Sequence, residues 1–181
     1  MALRKVRPLP NNEYIEKYID ITITDIDLPQ ILLDPNEFCS QYKYKLPHRL
    51  FLAYAQQLQE IYIWRMATFE ELYMIAPIVN IYFSSERLPI IMYPRFTPLL
   101  EEMGDERQLQ GVLKYLNCNY SELEEFLKQV STFCDNWGLN SDDILCNYNN
   151  IGYHPIFGFR IIDYGLTNNI HSIYDEIKER Q

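Results

Sequence analysis

The stretch that most constrains the fold of this chain is residues 150–165, NIGYHPIFGFRIIDYG. Apolar residues at Ile151 and Tyr153 alternate with smaller or polar ones, a turn follows at residues 155–158, and residues 159–162 then run back as a second strand. Asn150 and Asp163, 13 positions apart, stand at the two ends of this predicted β-hairpin. We therefore expect the hairpin to bring an amide and a carboxylate close together.

Composition predicts a folded domain with a real core. The chain has 181 residues, of which 48% are hydrophobic and 14% aromatic. The net charge of −9 argues against a nucleic-acid backbone or an anionic membrane as the main partner, since either would require a concentrated basic surface. We expect the acidic surface to serve mainly solubility, and a basic partner or nucleic-acid mimicry is the alternative.

Cysteines and apolar segments predict the compartment. The four cysteines contain no CxxC pair, and the three histidines have no metal-ligand spacing, so we expect reduced thiols. The basic N-terminus is not followed by the apolar segment of a signal peptide, and no stretch of about 18 apolar residues occurs. These features predict a protein that is not secreted and has no membrane partner.

The pattern along the chain predicts an α+β fold. Residues 48–66 contain neither Gly nor Pro and place apolar residues at three- and four-residue steps, which indicates an amphipathic helix. Thr68-x-x-Glu71 has the form of a capping box. The other predicted elements are a basic arm at 1–12, strands at 18–26 and 38–45, a hairpin at 78–93, a connector at 94–98, and helices at 99–116 and 121–137.

In this order of elements, and above all in residues 150–165, the chain resembles the protein-kinase-like superfamily. In that family the catalytic-loop Asn and the Asp of an Asp-Phe-Gly element hold Mg²⁺ on the nucleotide phosphates. Asn150 and Asp163-Tyr164-Gly165 match these positions. The resemblance covers roughly residues 38–168. It implies a reduced kinase-like fold, with a small partial N-terminal sheet, a helical lobe and the Asn-to-Asp hairpin as a metal site, and ATP with Mg²⁺ as cofactor.

The same resemblance gives the predicted domain boundaries. The arm occupies residues 1–12 and a single kinase-like domain occupies residues 13–181. Within that domain, a partial N-lobe covers residues 13–93 and a partial C-lobe covers residues 94–181.

The resemblance also suggests the remaining site residues. Lys45, on the strand expected before the long helix, would pair with phosphate, and Glu60 in that helix would be its ion-pair partner. Asp143 would be the catalytic base, although it lies seven residues before Asn150 and the family pattern has five. For Lys45 and Glu60 the alternative is a solvated position on the strand and on the helix, and for Asp143 it is a polar turn that ends the preceding helix.

Several family features are missing from the sequence. No glycine precedes Gly104, so the glycine-rich phosphate loop is absent, and 16 residues follow Gly165 where kinases carry a substrate-binding subdomain. We therefore expect a degenerate, pseudokinase-type protein that acts through protein–protein binding. Similarity to small phage proteins around NIGY and IIDYG suggests a regulatory or virion component, located in the host cytoplasm or the virion. The alternatives are a minimal Mg-ATP-dependent phosphotransferase and an unrelated α+β structural or interaction protein.

Overall fold

The chain folds as two compact α+β units in a computed structural model, which describes residues 3–21, 27–29, 31–99, 106–145 and 148–180. Unit 1 comprises Met1–Met66, Pro77–Arg95 and Gly165–Gln181. Unit 2 comprises Ala67–Ala76 and Phe96–Tyr164. Each unit combines helices with a small antiparallel sheet, so the predicted α+β class is confirmed.

Unit 1 is built on a four-stranded antiparallel sheet in the order β1-β2-β4-β3. Its strands are β1 (Arg4–Pro8), β2 (Tyr14–Ile19), β3 (Asn80–Phe83) and β4 (Pro89–Pro94). The hairpin predicted at 78–93 is β3–β4. Part of the expected N-terminal arm instead forms the edge strand β1, which pairs with β2 from Arg4↔Ile19 to Pro8↔Ile15. The strand predicted at 18–26 begins earlier, at Tyr14, and residues 22–26 lie outside the described residues.

Among the described residues of unit 1, three helices accompany the sheet: α1 (Pro35–Tyr42), α2 (His48–Met66) and α6 (Asn168–Arg180). Helix α2 has the predicted bounds. The strand predicted at 38–45 is wrong, because α1 occupies most of that segment. The side chain of Asp34 accepts hydrogen bonds from the backbone N–H groups of residues 36 and 37, and Pro35 suits the first turn.

Aromatic stacking holds α1 against α2. The ring of Phe38 lies 5.1 Å from that of Tyr42 one helical turn later, and it stacks at 4.6 Å on Tyr54 of α2. Helix α6 adds the buried side chains of Ile170 and Ile177 to the same core. Just before α6 the chain touches the backbone of α2, where a Cβ on Gly165 would collide with the carbonyl oxygen of Gln56.

In its described residues, unit 2 contains a three-stranded antiparallel sheet in the order β5-β6-β7 and three helices. Its strands are β5 (Thr97–Pro98), β6 (Ile151–His154) and β7 (Gly158–Ile161), its helices are α3 (Glu106–Tyr115), α4 (Tyr120–Trp137) and α5 (Ser141–Leu145), and 3-10 turns lie at Glu71–Tyr73 and Tyr148–Asn150. The capping box is confirmed: Glu71 accepts from the backbone of Thr68 at 2.9 Å, and the Thr68 hydroxyl accepts from the backbone of Glu71 at 3.3 Å. Helix α4 ends at Gly138, which is in the left-handed conformation.

Within the described parts of the chain, no helix has the length and apolar character needed to cross a membrane. Helix α2, with 19 residues, is long enough. It nevertheless carries charged and amide side chains along its length, among them Gln57 and Glu60.

Candidate functional site

The predicted hairpin exists and sets the position of the candidate metal ligands in unit 2. Strands β6 and β7 pair from Ile151↔Ile161 to His154↔Gly158. Beyond the Ile151↔Ile161 pair, at the open end of the hairpin, the backbone N–H of Ile162 donates to the carbonyl oxygen of Asn150 at 2.8 Å. Asn150 therefore lies directly across from the residue that precedes Asp163.

Asp143 joins this end of the hairpin through Asn150. The Asn150 side-chain nitrogen donates to the carbonyl oxygen of Asp143 at 2.8 Å and to its carboxylate at 3.4 Å. Asp143 lies in α5, where its backbone N–H is held by the side chain of Asn140 at 3.3 Å. The structure thus brings the predicted base to the predicted amide ligand, despite the seven-residue spacing.

The chemistry of this cluster suits a hard cation only if other oxygens complete the shell. Magnesium prefers six oxygen ligands and commonly keeps several waters or takes phosphate oxygens beside one or two carboxylates. Among the residues that the structure describes, no three His, Cys, Asp or Glu side chains come together as a metal centre. Asn150 and Asp163 would therefore need water or phosphate to hold Mg²⁺.

The second candidate group lies in unit 1 around the fully buried carboxylate of Glu60 on α2. The Lys17 Nζ atom of β2 lies 2.9 Å from one carboxylate oxygen and 3.0 Å from the other. The guanidinium of Arg4 and the hydroxyl of Tyr93 also donate to Glu60. A buried carboxylate is tolerated when charged donors and hydrogen bonds compensate it, and these three groups supply both.

Lys45 lies elsewhere in unit 1, so the expected Lys45–Glu60 pair is corrected to Lys17–Glu60. Lys45 follows α1 in an exposed turn, with its Nζ atom 5.3 Å from the ring centroid of Tyr42. Lys45 does not lie on a strand because helix α1 forms in the segment where the strand was predicted. Lys17 was missed because the predicted strand began at residue 18. The signal lay in the alternation of β2, which puts Lys17 between Ile15 and Ile19 on one face of the sheet.

The opposite face of β2 carries another compensated carboxylate. Glu16, the neighbour of Lys17, accepts from the Nε atom of Arg7 at 2.7 Å and from the hydroxyl of Tyr82. The Arg7 guanidinium in turn lies 4.9 Å from the ring centroid of Tyr18. Consecutive residues of one strand therefore anchor polar groups on both faces of the sheet.

Two arrangements emerge as functional candidates: the Lys17–Glu60 pair in unit 1 and the Asn150-to-Asp163 hairpin in unit 2. Sequence patterns indicated Glu60 in the first case, and Asn150, Asp163 and the neighbouring Asp143 in the second. No family model, curated protein or solved structure matches this chain.

Proposed function

We propose that this protein is a kinase-like scaffold that acts by binding a protein partner and does not transfer phosphate. The observation that carries the proposal is the burial of Lys17, which is 4% exposed and held by both carboxylate oxygens of Glu60. The regulatory or virion role expected for a phage or viral protein is part of the same proposal.

The kinase-like part rests on which elements carry the ion pair. In protein kinases a lysine on a strand of the N-terminal sheet pairs with a glutamate on the helix that follows it. Here the lysine lies on β2 and the glutamate on α2, the long helix of the same unit. The Asn150-to-Asp163 hairpin in unit 2 supports the same assignment, because it occupies the later position along the chain that the family's metal-binding hairpin has.

The burial of Lys17 is the reason to infer that the protein does not transfer phosphate. In the family this lysine contacts the nucleotide phosphates while it is paired with its glutamate, so its ammonium also has to be accessible to the ligand. The side chain of Lys17 is only 6% exposed and is enclosed by Glu60 and by the ring of Tyr93 at 5.3 Å. The family's glycine-rich loop has no counterpart in the sequence either.

A minimal phosphotransferase is the second candidate, and one observation favours it. Asp143 and Asn150 are in contact, and Asp163 follows the residue opposite Asn150, so a base and two oxygen ligands are available in unit 2. In that case Asp163 and Asn150 would hold Mg²⁺, and Asp143 would accept the proton of the phosphate acceptor.

Thermal unfolding with Mg-ATP separates the two candidates. The scaffold proposal predicts that Mg-ATP leaves the melting temperature of the wild-type protein unchanged and that no radiolabelled phosphate is incorporated. A ligand present at a hundred times its dissociation constant would instead raise the free energy of unfolding by about 2.7 kcal/mol. For a chain of this size, that corresponds to about 5–10 °C at about 2–4 °C per kcal/mol.

The control variants are Asp163→Ala and Asp142→Ala. A nucleotide-dependent rise in melting temperature that Asp163→Ala abolishes and Asp142→Ala retains would overturn the scaffold proposal in favour of the phosphotransferase.

The proposed binding of a protein partner is tested by chemical cross-linking of the protein in its native cells, followed by quantitative mass spectrometry. We expect one protein to recur at a near-equal amount, and recovery of the chain without any such protein contradicts the binding role.

A further inference from the structure

Unit 2 carries an exposed aromatic pair whose rings are largely outside the core. Phe69 is 70% exposed and Tyr73 is 54% exposed. Their rings meet edge to face, at an interplanar angle of 87° and a centroid distance of 5.1 Å. Adjacent exposed aromatic side chains of this size are characteristic of interaction sites. We call Phe69, Tyr73 and the Arg160 side chain beside them the aromatic patch.

The backbone beneath the patch is held at both ends. Glu71, between the two aromatic residues, accepts from the capping-box residue Thr68 at 2.9 Å and from the indole nitrogen of Trp137 at 3.1 Å. After Tyr73, the carbonyl oxygen of Met74 accepts from the backbone of Ile161 at 2.8 Å. A surface fixed in this way loses little conformational entropy on binding.

The charge of unit 2 indicates which partner the patch would accept. This unit has 4 Lys and Arg residues against 13 Asp and Glu residues, a net charge of −9, whereas unit 1 has 12 of each. Glu70 is exposed within the patch segment itself. Although burial raises the pKa of Glu71, hydrogen bonds from Thr68, Asn136 and Trp137 outweigh it and lower that pKa, so this carboxylate stays charged.

The ring of Tyr73 already contacts one cation. The guanidinium of Arg160, on β7, lies 5.6 Å from the ring centroid of Tyr73. Guanidinium groups stack on aromatic rings and pair with carboxylates through a planar fork, and ammonium groups bind aromatic faces through the same electrostatic attraction. The remaining exposed ring surface, next to Glu70 on a strongly acidic unit, is suited to further groups of this kind.

We propose that the aromatic patch docks an arginine- and lysine-rich segment of the protein partner. Cationic side chains of that segment stack on Phe69 and Tyr73, and carboxylates of unit 2, including Glu70, pair with them. This inference rests on the proposed scaffold function and specifies the chemistry of the partner.

The test is fluorescence anisotropy with three labelled peptides of equal length, in which Arg, Glu or Ser alternates with Gly. We expect the wild-type protein to bind the Arg peptide, with an affinity that falls as salt rises, and to bind neither of the others. The double variant Phe69→Ser/Tyr73→Ser should bind the Arg peptide about tenfold more weakly, as expected for two exposed cation–π contacts. Tyr115→Ser removes an aromatic residue that is 86% exposed on α3 of the same unit, and it should leave the affinity unchanged.

Three outcomes would overturn the inference. Equal binding of the Ser peptide would remove the charge argument, and equal binding of the Arg peptide by the wild-type and double-variant proteins would leave net charge as the sole attraction. Failure of the wild-type protein to bind the Arg peptide would exclude a basic partner. If the wild-type protein does not bind the Arg peptide and Mg-ATP does not change its melting temperature, the docking inference is wrong but the scaffold proposal stands. The two proposals can therefore be tested independently.

Discussion

The two units use charge in opposite ways. Unit 1 balances 12 basic against 12 acidic residues, and several of them meet in ion pairs, such as Arg4–Glu60, Arg7–Glu16 and Lys5–Asp20. Unit 2 has 13 acidic residues and 4 basic ones. One of those four, Lys128, pairs with Glu125 across an exposed helical turn.

This difference separates charge that builds a fold from charge that remains available to a partner. A buried carboxylate requires fixed cations, and Glu60 has them. Exposed carboxylates on one unit repel one another and attract cationic surfaces over the range of a Debye length, about 8 Å at physiological salt. Unit 1 therefore behaves as a framework, and unit 2 carries the net negative charge on which the proposed recognition of a basic segment depends.

The largest effect on stability is expected from the removal of the buried carboxylate of Glu60 in unit 1. Glu60→Ala leaves the Lys17 ammonium and the Arg4 guanidinium buried without their carboxylate. We expect the free energy of unfolding to fall by about 3–5 kcal/mol, as is typical when one member of a buried ion pair is removed. Urea denaturation followed by circular dichroism measures this change.

The matched control is Glu125→Ala in unit 2, which removes an exposed carboxylate 3.3 Å from the Nζ atom of Lys128. Its cost should stay below about 1 kcal/mol, because exposed ion pairs contribute little. Equal losses in the two variants would show that the contrast between the units has no energetic basis.

Two glycines provide a second comparison between the units. In unit 1, Gly165→Ala drives a methyl group into the backbone of α2 at Gln56, and we expect a loss of about 1–3 kcal/mol through overpacking. In unit 2, Gly111→Ala meets nothing within 4 Å in the middle of α3 and should gain about 0.5–1 kcal/mol from helix propensity. Thermal unfolding of both variants measures the signs, and a Gly165→Ala protein as stable as wild type would disprove the close approach.

The smallest effect is a pH dependence confined to the tip of the hairpin in unit 2. The Nδ1 atom of His154 accepts the backbone N–H of Ile156 at 3.1 Å, and burial lowers the pKa of this imidazole. A folded-state pKa below the unfolded value of about 6.5 means that the bond is fully present above that pH and is lost as the pH falls through the folded value. The loss should amount to about 0.5–1.5 kcal/mol.

Amide hydrogen exchange at Ile156 measures this effect. After correction for the intrinsic rate, protection should fall on acidification in the wild-type protein and should be low at every pH in His154→Phe, which has no acceptor. A protection factor that stays constant in the wild-type protein as the pH is lowered from 7 through protonation of the His154 imidazole would contradict the assignment.

Local signals predicted the fold well where one interpretation was available. Helix α2 has the predicted bounds because residues 48–66 contain no Gly or Pro and keep a helical period. The strand prediction for residues 38–45 was wrong because the spacing of Phe38 and Tyr42 fits two interpretations. In a strand they would share one face, and in a helix they are one turn apart. The side-chain cap at Asp34 and the proline after it favour the helix, and this helix-start signal lies before the segment in which the strand was predicted.

Local patterns also predicted one of the two candidate arrangements better than the other. Asn150 and Asp163 could be placed together because a hairpin is a local structure with a period of two. The partner of Glu60 could not be identified from local patterns, since Lys17 is 43 residues away and reaches it through the packing of α2 on the sheet. Long-range pairings of this kind depend on strand order, which the sequence pattern leaves open.

The division of unit 1 among three chain segments has a consequence for how the protein is made. Helix α2 ends at Met66, and the α6 residues that complete its core, Ile170 and Ile177, are synthesised roughly 100 residues later. At about 5–20 residues per second, ribosomes expose the apolar face of α2 for about 5–20 s before α6 emerges. Most of unit 2 is one continuous stretch, Phe96–Tyr164, so it is complete before unit 1 can close. A nascent chain therefore passes through a stage in which α2 has been made but α6 has not, and its apolar face then needs protection from aggregation.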